Sequence, residues 1–138
     1  MTGRRWSIGE AAGHLGLDAD TLRYFERRRI VPAPIRDHAG RRVYDERSIH
    51  LLEVLLHLRR TGMPLAEIAE FTRLVGCDPH GVSERLQLLI THQQRVAEQQ
   101  DQLARSMAVV QQKIRDYQQR LDCASLDGPA DTAGNHDP

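Results

Sequence analysis

The sequence predicts a mainly α-helical chain, with a winged helix-turn-helix head followed by one long coiled-coil helix. Three observations carry that expectation. Two short helical stripes meet across a glycine, a pair of prolines leads into a glycine-centred hairpin, and a four-three apolar repeat runs for more than five heptads. At 138 residues there is room for one domain and an appendage.

The first helix starts at a capping box, with Ser7 as N-cap and Glu10 three residues on, and Ala11, Ala12 and Leu15 continue its apolar stripe. Gly16 stops it. Asp18 is read as the cap of a second short helix carrying Leu22, Phe25 and Glu26 through Arg28. Two helices of two to three turns across a tight glycine turn form a helix-turn-helix. Pro32 and Pro34 then forbid helix, and two short strands, Ile35-Arg36-Asp37 and Arg42-Val43-Tyr44, are expected around a turn at Gly40, making a wing with arginines at its tip and along one edge. Asp45 caps a third helix with a broad apolar face (Ile49, Leu52, Val54, Leu55, Leu56, Leu58) that ends at Gly62, and Pro64 opens a fourth with Leu65, Ile68, Ala69 and Phe71.

The head is therefore assigned to residues 1–75, and a hinge with Pro79 and two glycines to 76–81. Over 82–123 the repeat selects Val82, Leu86, Leu89, Gln93, Val96, Gln100, Leu103, Met107, Val110, Ile114, Tyr117 and Leu121. A solvated helix of roughly 60 Å, at 1.5 Å per residue, cannot bury so narrow a stripe on itself. It needs a partner helix, most simply a second copy of the chain. Gln93 and Gln100 are read as register-fixing polar seam positions, and Met107 and Tyr117 as core. The segment 124–138, rich in Asp, Gly, Pro, Ala and Asn, is expected to be a disordered tail.

Net charge is zero, but residues 1–60 hold twelve arginines against eight acids, a net of +4. A phosphate-facing surface is expected there. Lys113 is the sole lysine, so a compositional bias toward arginine is the alternative origin of the pattern. No apolar run approaches the roughly 18 residues of a membrane span, and the N-terminus lacks a signal-peptide core. A cytoplasmic protein is expected. Two cysteines, Cys77 and Cys123, are too few for a disulfide scaffold. Ser/His/Asp-like arrangements, phosphate-cradling glycine loops and closed metal clusters are missing from the sequence, so catalysis is not expected.

Ser7-Ile8-Gly9-Glu10-Ala11-Ala12, Thr21-Leu22-Arg23-Tyr24-Phe25-Glu26, Gly40-Arg41-Arg42-Val43-Tyr44 and Thr61-Gly62-Met63-Pro64-Leu65-Ala66-Glu67-Ile68 together resemble, in order and spacing, the signature of the MerR family of transcriptional regulators. The resemblance covers residues 5–75 closely and the long helix in outline. It implies a homodimer joined by an antiparallel coiled coil, bound to a palindromic site in double-stranded promoter DNA beside RNA polymerase. It also implies bending and undertwisting of an overlong promoter spacer, deformation being offset by the phosphate contacts that the bent form permits.

On the matching positions, Arg23 and Tyr24 stand for the recognition-helix pair, and Thr21 begins the exposed face of that helix. A core aromatic is the other reading of Tyr24. Phe25 stands where the family often has a second tyrosine. Arg42 and Tyr44 match the wing pattern, and Arg41 replaces a usual tyrosine. Arg29 replaces a glycine, putting a left-handed helix end in doubt. Arg59 and Arg60 are read either as backbone grips beside the fourth helix or as a solvated face.

The resemblance is to the branch without a multi-cysteine metal loop, so no cofactor is expected. Cys77 and Cys123, possible thiol sensors of a soft metal or redox signal, fall near the two ends of the long helix; His80 stands near Cys77. His57 occupies the position at which aldehyde-responsive members carry cysteine. A ligand-binding domain after the coil is not expected. The alternative function is a DNA-architectural or adaptor protein that uses the coil to recruit other proteins.

Overall fold

The computed structural model describes residues 3–134, which form five helices and one hairpin. In chain order these are α1 (Ile8–Leu15), α2 (Ala19–Arg27), β1 (Ile35–Arg36), β2 (Arg42–Val43), α3 (Glu46–Arg60), α4 (Leu65–Val75) and α5 (Val82–Gly134). The chain divides into two compact units, Met1–Val96 and Ala97–Pro138.

Local chemistry sets most boundaries in the first unit. The Ser7 hydroxyl accepts from the Glu10 amide at 3.2 Å, and the Glu10 carboxylate accepts from the Ser7 amide at 2.9 Å, completing the capping box. That bonding to Ser7, backbone first, holds the Glu10 carboxyl below the ordinary carboxylate range. Gly16 ends α1 in the left-handed region, φ 71°. Asp45 caps α3 by accepting from the Ser48 amide at 2.8 Å. Asp18 departs from expectation. It occupies the N-cap position of α2, but its side chain makes no capping bond. The acidic residue of the first turn, Asp20, turns its carboxylate to Arg23 instead.

The core gathers Ala11, Ala12 and Leu15 from α1, Leu22 and Phe25 from α2, Ile49, Leu52, Leu55 and Leu58 from α3, and Ile68 and Phe71 from α4. Ile30 and Val31, after α2, join it. The buried Thr72 hydroxyl donates to the Ile30 carbonyl at 2.6 Å, tying that segment to α4.

The wing is antiparallel, with Ile35 opposite Val43 and Arg36 opposite Arg42. Its turn is organised by Asp37, whose carboxylate accepts from the Ala39 and Arg41 amides at 2.9 Å each, and by Gly40 at φ 79°. Trp6 adds a bridge beyond the hairpin: its amide and carbonyl exchange 2.8 Å bonds with those of Tyr44.

The stretch expected as a hinge, 76–81, is a run of turns closed by hydrogen bonds and by an Arg85–Asp78 ion pair. Gly81 is required there, because a Cβ would collide with the Leu74 carbonyl. Helix α5 then presents two stripes. Leu88, His92 and Arg95, at i, i+4 and i+7, face the head: Leu88 packs on the core, His92 Nε2 lies 2.7 Å from Thr61 Oγ1, and Arg95 pairs bidentately with Glu67. The neighbouring seam stripe, with Leu86 and Leu89, is exposed, and Val96 is half-buried.

In the second unit, Leu103, Met107, Val110, Ile114, Tyr117 and Leu121 are exposed along α5. The segment expected to be a disordered tail carries helical backbone as far as Gly134, and 135–138 lie outside the described residues. Extending an existing helix fixes one residue per hydrogen bond gained, so it needs no strong local propensity.

Candidate nucleic-acid interface

Helix α2 buries Leu22 and Phe25 and turns the opposite face, Asp20, Arg23, Tyr24, Arg27 and Arg28, outward. Tyr24 is 42% exposed, so it belongs to this face and not to the core. The guanidinium groups of Arg27 and Arg28 lie 6.0 and 5.9 Å from its ring centroid. Arg23 donates to Asp20 at 2.8 Å, and Thr21 is half-buried at the edge of the face. Arg59, at the end of α3, lies over the Phe25 ring at 5.1 Å, and Arg60 beside it is exposed. The result is a cationic surface with one aromatic at its centre, suited to phosphate oxygens and to hydrogen bonds from a phenol.

The wing reaches the same helix through one side-chain pair, Arg42 with Glu26. Arg41 is exposed at the tip, 3.5 Å from the Asp37 carboxylate, which the Arg41 amide, chiefly, holds below its ordinary pKa range. Arg36 donates to the Gly40 carbonyl at 2.7 Å.

Two residues that the sequence assigns to the interface are placed otherwise. Tyr44 is 2% exposed and packs in the core, because its bridge to Trp6 turns its side chain inward. Its hydroxyl is buried without a hydrogen-bond partner among the described residues; burial first, and Glu26 second, push its pKa up. Arg42 is turned to Glu26 of α2, its Nε donating at 2.6 Å with the two side chains 21% and 17% exposed. That bond raises the guanidinium pKa further.

Arg27 and Arg28 were not singled out by the sequence. Their spacing of three and four from Tyr24 on a helix is the signal that finds them. Arg29 adopts φ 58°, so the left-handed helix end forms in spite of its side chain. Cys77 and Cys123 are both free and exposed, Cys77 with its Sγ 3.6 Å from the Arg73 carbonyl. Among the described residues no three His, Cys, Asp or Glu side chains are grouped to hold a metal ion, and no helix is long and apolar enough to cross a membrane.

Residues 6–74 match the family model described as MerR HTH family regulatory protein, and residues 49–113 the one described as MerR, DNA binding. Among curated proteins, the chain is 29% identical over 126 residues to the uncharacterized HTH-type transcriptional regulator YyaN of Bacillus subtilis (strain 168), covering 81% of this chain and 90% of that protein. It is 34% identical over 92 residues to the HTH-type transcriptional regulator AdhR of the same strain, covering 67% and 66%. Among solved structures, it is similar to HiNmlR, a MerR family regulator lacking the sensor domain, bound to promoter DNA, at 27% identity and TM-score 0.77, covering 91% of this chain and 96% of that one. With a helix-turn-helix head, a two-stranded wing and a long final helix all in place, the chain belongs to the MerR family of DNA-binding transcriptional regulators, which are not enzymes.

Proposed function

We propose that this regulator acts as a homodimer on a palindromic promoter site, setting α2 into the major groove and the wing on the flanking backbone, and distorts the duplex to control initiation by RNA polymerase. The observation that carries the DNA-facing part is the outward face of α2: Tyr24 flanked by Arg23, Arg27 and Arg28, on a helix whose other face is core. Thr21 and Arg60 extend this surface at its edges and Arg41 extends it at the wing tip. Similarity to a regulator solved on promoter DNA supports the same reading. Pairing of two chains is supported by the exposed apolar seam of α5, Leu86, Leu89, Leu103, Met107, Val110, Ile114 and Leu121. The antiparallel arrangement follows from the family resemblance. A soft metal or an oxidant acting on this regulator would meet the exposed thiols Cys77 and Cys123.

The test is binding of the purified protein to a duplex carrying the promoter region beside its own gene, titrated across salt. Each phosphate contact adds about −0.9 to the slope of log K against log salt. Removing both Arg27 and Arg28 as alanines is expected to flatten the slope by about 2 and to weaken binding. An unchanged slope in that variant removes α2 from the interface.

A further inference from the structure

We propose that Glu26 is a positioning residue of the DNA interface, latching the wing to α2 through Arg42 so that helix and wing meet the duplex as one rigid body. The inference rests on the reading that α2 and the wing face DNA. An acidic side chain on a helix turned to a polyanion is otherwise a liability, since it repels the phosphates its neighbours attract.

The geometry gives Glu26 a different task. Its carboxylate accepts from Arg42 Nε at 2.6 Å, across sixteen residues of sequence. Exposed ion pairs are weak because water and salt screen them. With the two side chains 21% and 17% exposed, this pair is largely out of that screening. Losing either partner would strand the other as a buried charge.

The same junction explains why the wing needs a latch. The hairpin has only two residues in each strand, too few to hold its own direction. Its base is anchored by the Trp6–Tyr44 bridge and by burial of Tyr44. Arg42 opens β2 two residues before that anchor, opposite Arg36, and its tie to Glu26 sets the angle at which Arg36 and Arg41 are presented. On this view Arg42 acts on DNA through Glu26 and not as a phosphate ligand.

The two accounts of Glu26 predict opposite signs. Electrostatics alone predicts that Glu26→Gln binds DNA more tightly. The latch predicts that it binds about tenfold more weakly, that Arg42→Gln does the same with its salt slope unchanged, and that the double variant is no weaker than either single one. Fluorescence anisotropy of the full chain on the labelled promoter-region duplex measures all three.

Hydrogen exchange in the DNA-free protein supplies the second measurement. The amides of residues 35–43 should exchange about tenfold faster in Glu26→Gln while those of α3 keep their protection, which also establishes that the variant is folded. Tighter or equal binding by Glu26→Gln, additive losses with a flattened slope in Arg42→Gln, or unchanged wing exchange each overturns the latch. Failure of the wild-type protein to bind the duplex instead removes the DNA-binding reading and leaves the exchange result to judge the latch alone.

Discussion

Arg29 holds a conformation, φ 58°, that costs an ordinary L-residue roughly 1–2 kcal/mol. Glycine adopts it freely but adds about 0.4–1 kcal/mol of disorder to the unfolded chain. The first effect is the larger, so Arg29→Gly is expected to stabilise the protein by about 0.5–1 kcal/mol in urea unfolding; a loss of stability would contradict the strain.

Asp45 gives the opposite kind of prediction. Its carboxyl is held below the ordinary range, first by the Ser48 amide. A depressed folded-state pKa contributes stability above the unfolded value, about 3.9 for Asp, and loses it as pH falls through the folded value. Asp45→Ala should therefore cost about 1 kcal/mol at neutral pH, and the gap to wild type should close as pH drops below about 4. A gap constant down to acid pH would sink this assignment.

Caps were legible because they are local: Ser7 with Glu10, Gly16 and Asp45 each act within four residues. The Glu26–Arg42 pair and the Trp6–Tyr44 bridge were not, since only the folded chain brings those residues together. The same holds for Tyr44, whose motif match points to DNA while its bridge to Trp6 turns it into the core.

Among the elements, α5 carries two stripes side by side, one packed on the head and one apolar and exposed. The heptad rule finds the seam because its spacing holds over more than five heptads, with Gln93 and Gln100 as the only polar positions. It misses Leu88, His92 and Arg95 because only a few turns touch the head and two of the three side chains are polar. His92 is 7% exposed, and its contact with Thr61 fixes α5 to the corner between α3 and α4. Truncating it leaves the Thr61 hydroxyl without that partner.

The stripes should be separable by mutation. His92→Ala is expected to cost about 1–3 kcal/mol of head stability and to leave the association of chains intact. Val110→Asp should do the reverse, lowering the associated mass while the head unfolds as in wild type. Thermal unfolding paired with sedimentation measures both, and loss of association in His92→Ala would show that the stripes are not independent. The α-helical elements and the wing were legible from periodicity, prolines and glycines. The helical stretch 124–134 was not, because it continues an established helix through a composition that would not start one.

For the whole molecule, the apolar seam and the arginine face make sense together. One head offers a short recognition helix with a few cations, and such a surface alone binds DNA weakly and without register. In the proposed dimer, two heads held at a fixed spacing would double the phosphate contacts and impose a symmetric site. The zero net charge of the chain hides this arrangement, because the acids are spread over both units while the arginines concentrate in the first sixty residues.

Sedimentation of the full chain with and without a duplex from the promoter region beside its gene reads the stoichiometry of both species directly. Two chains per particle in the absence of DNA, and two chains per duplex in its presence, are predicted. Single chains in both, at micromolar protein and low salt, would contradict the account.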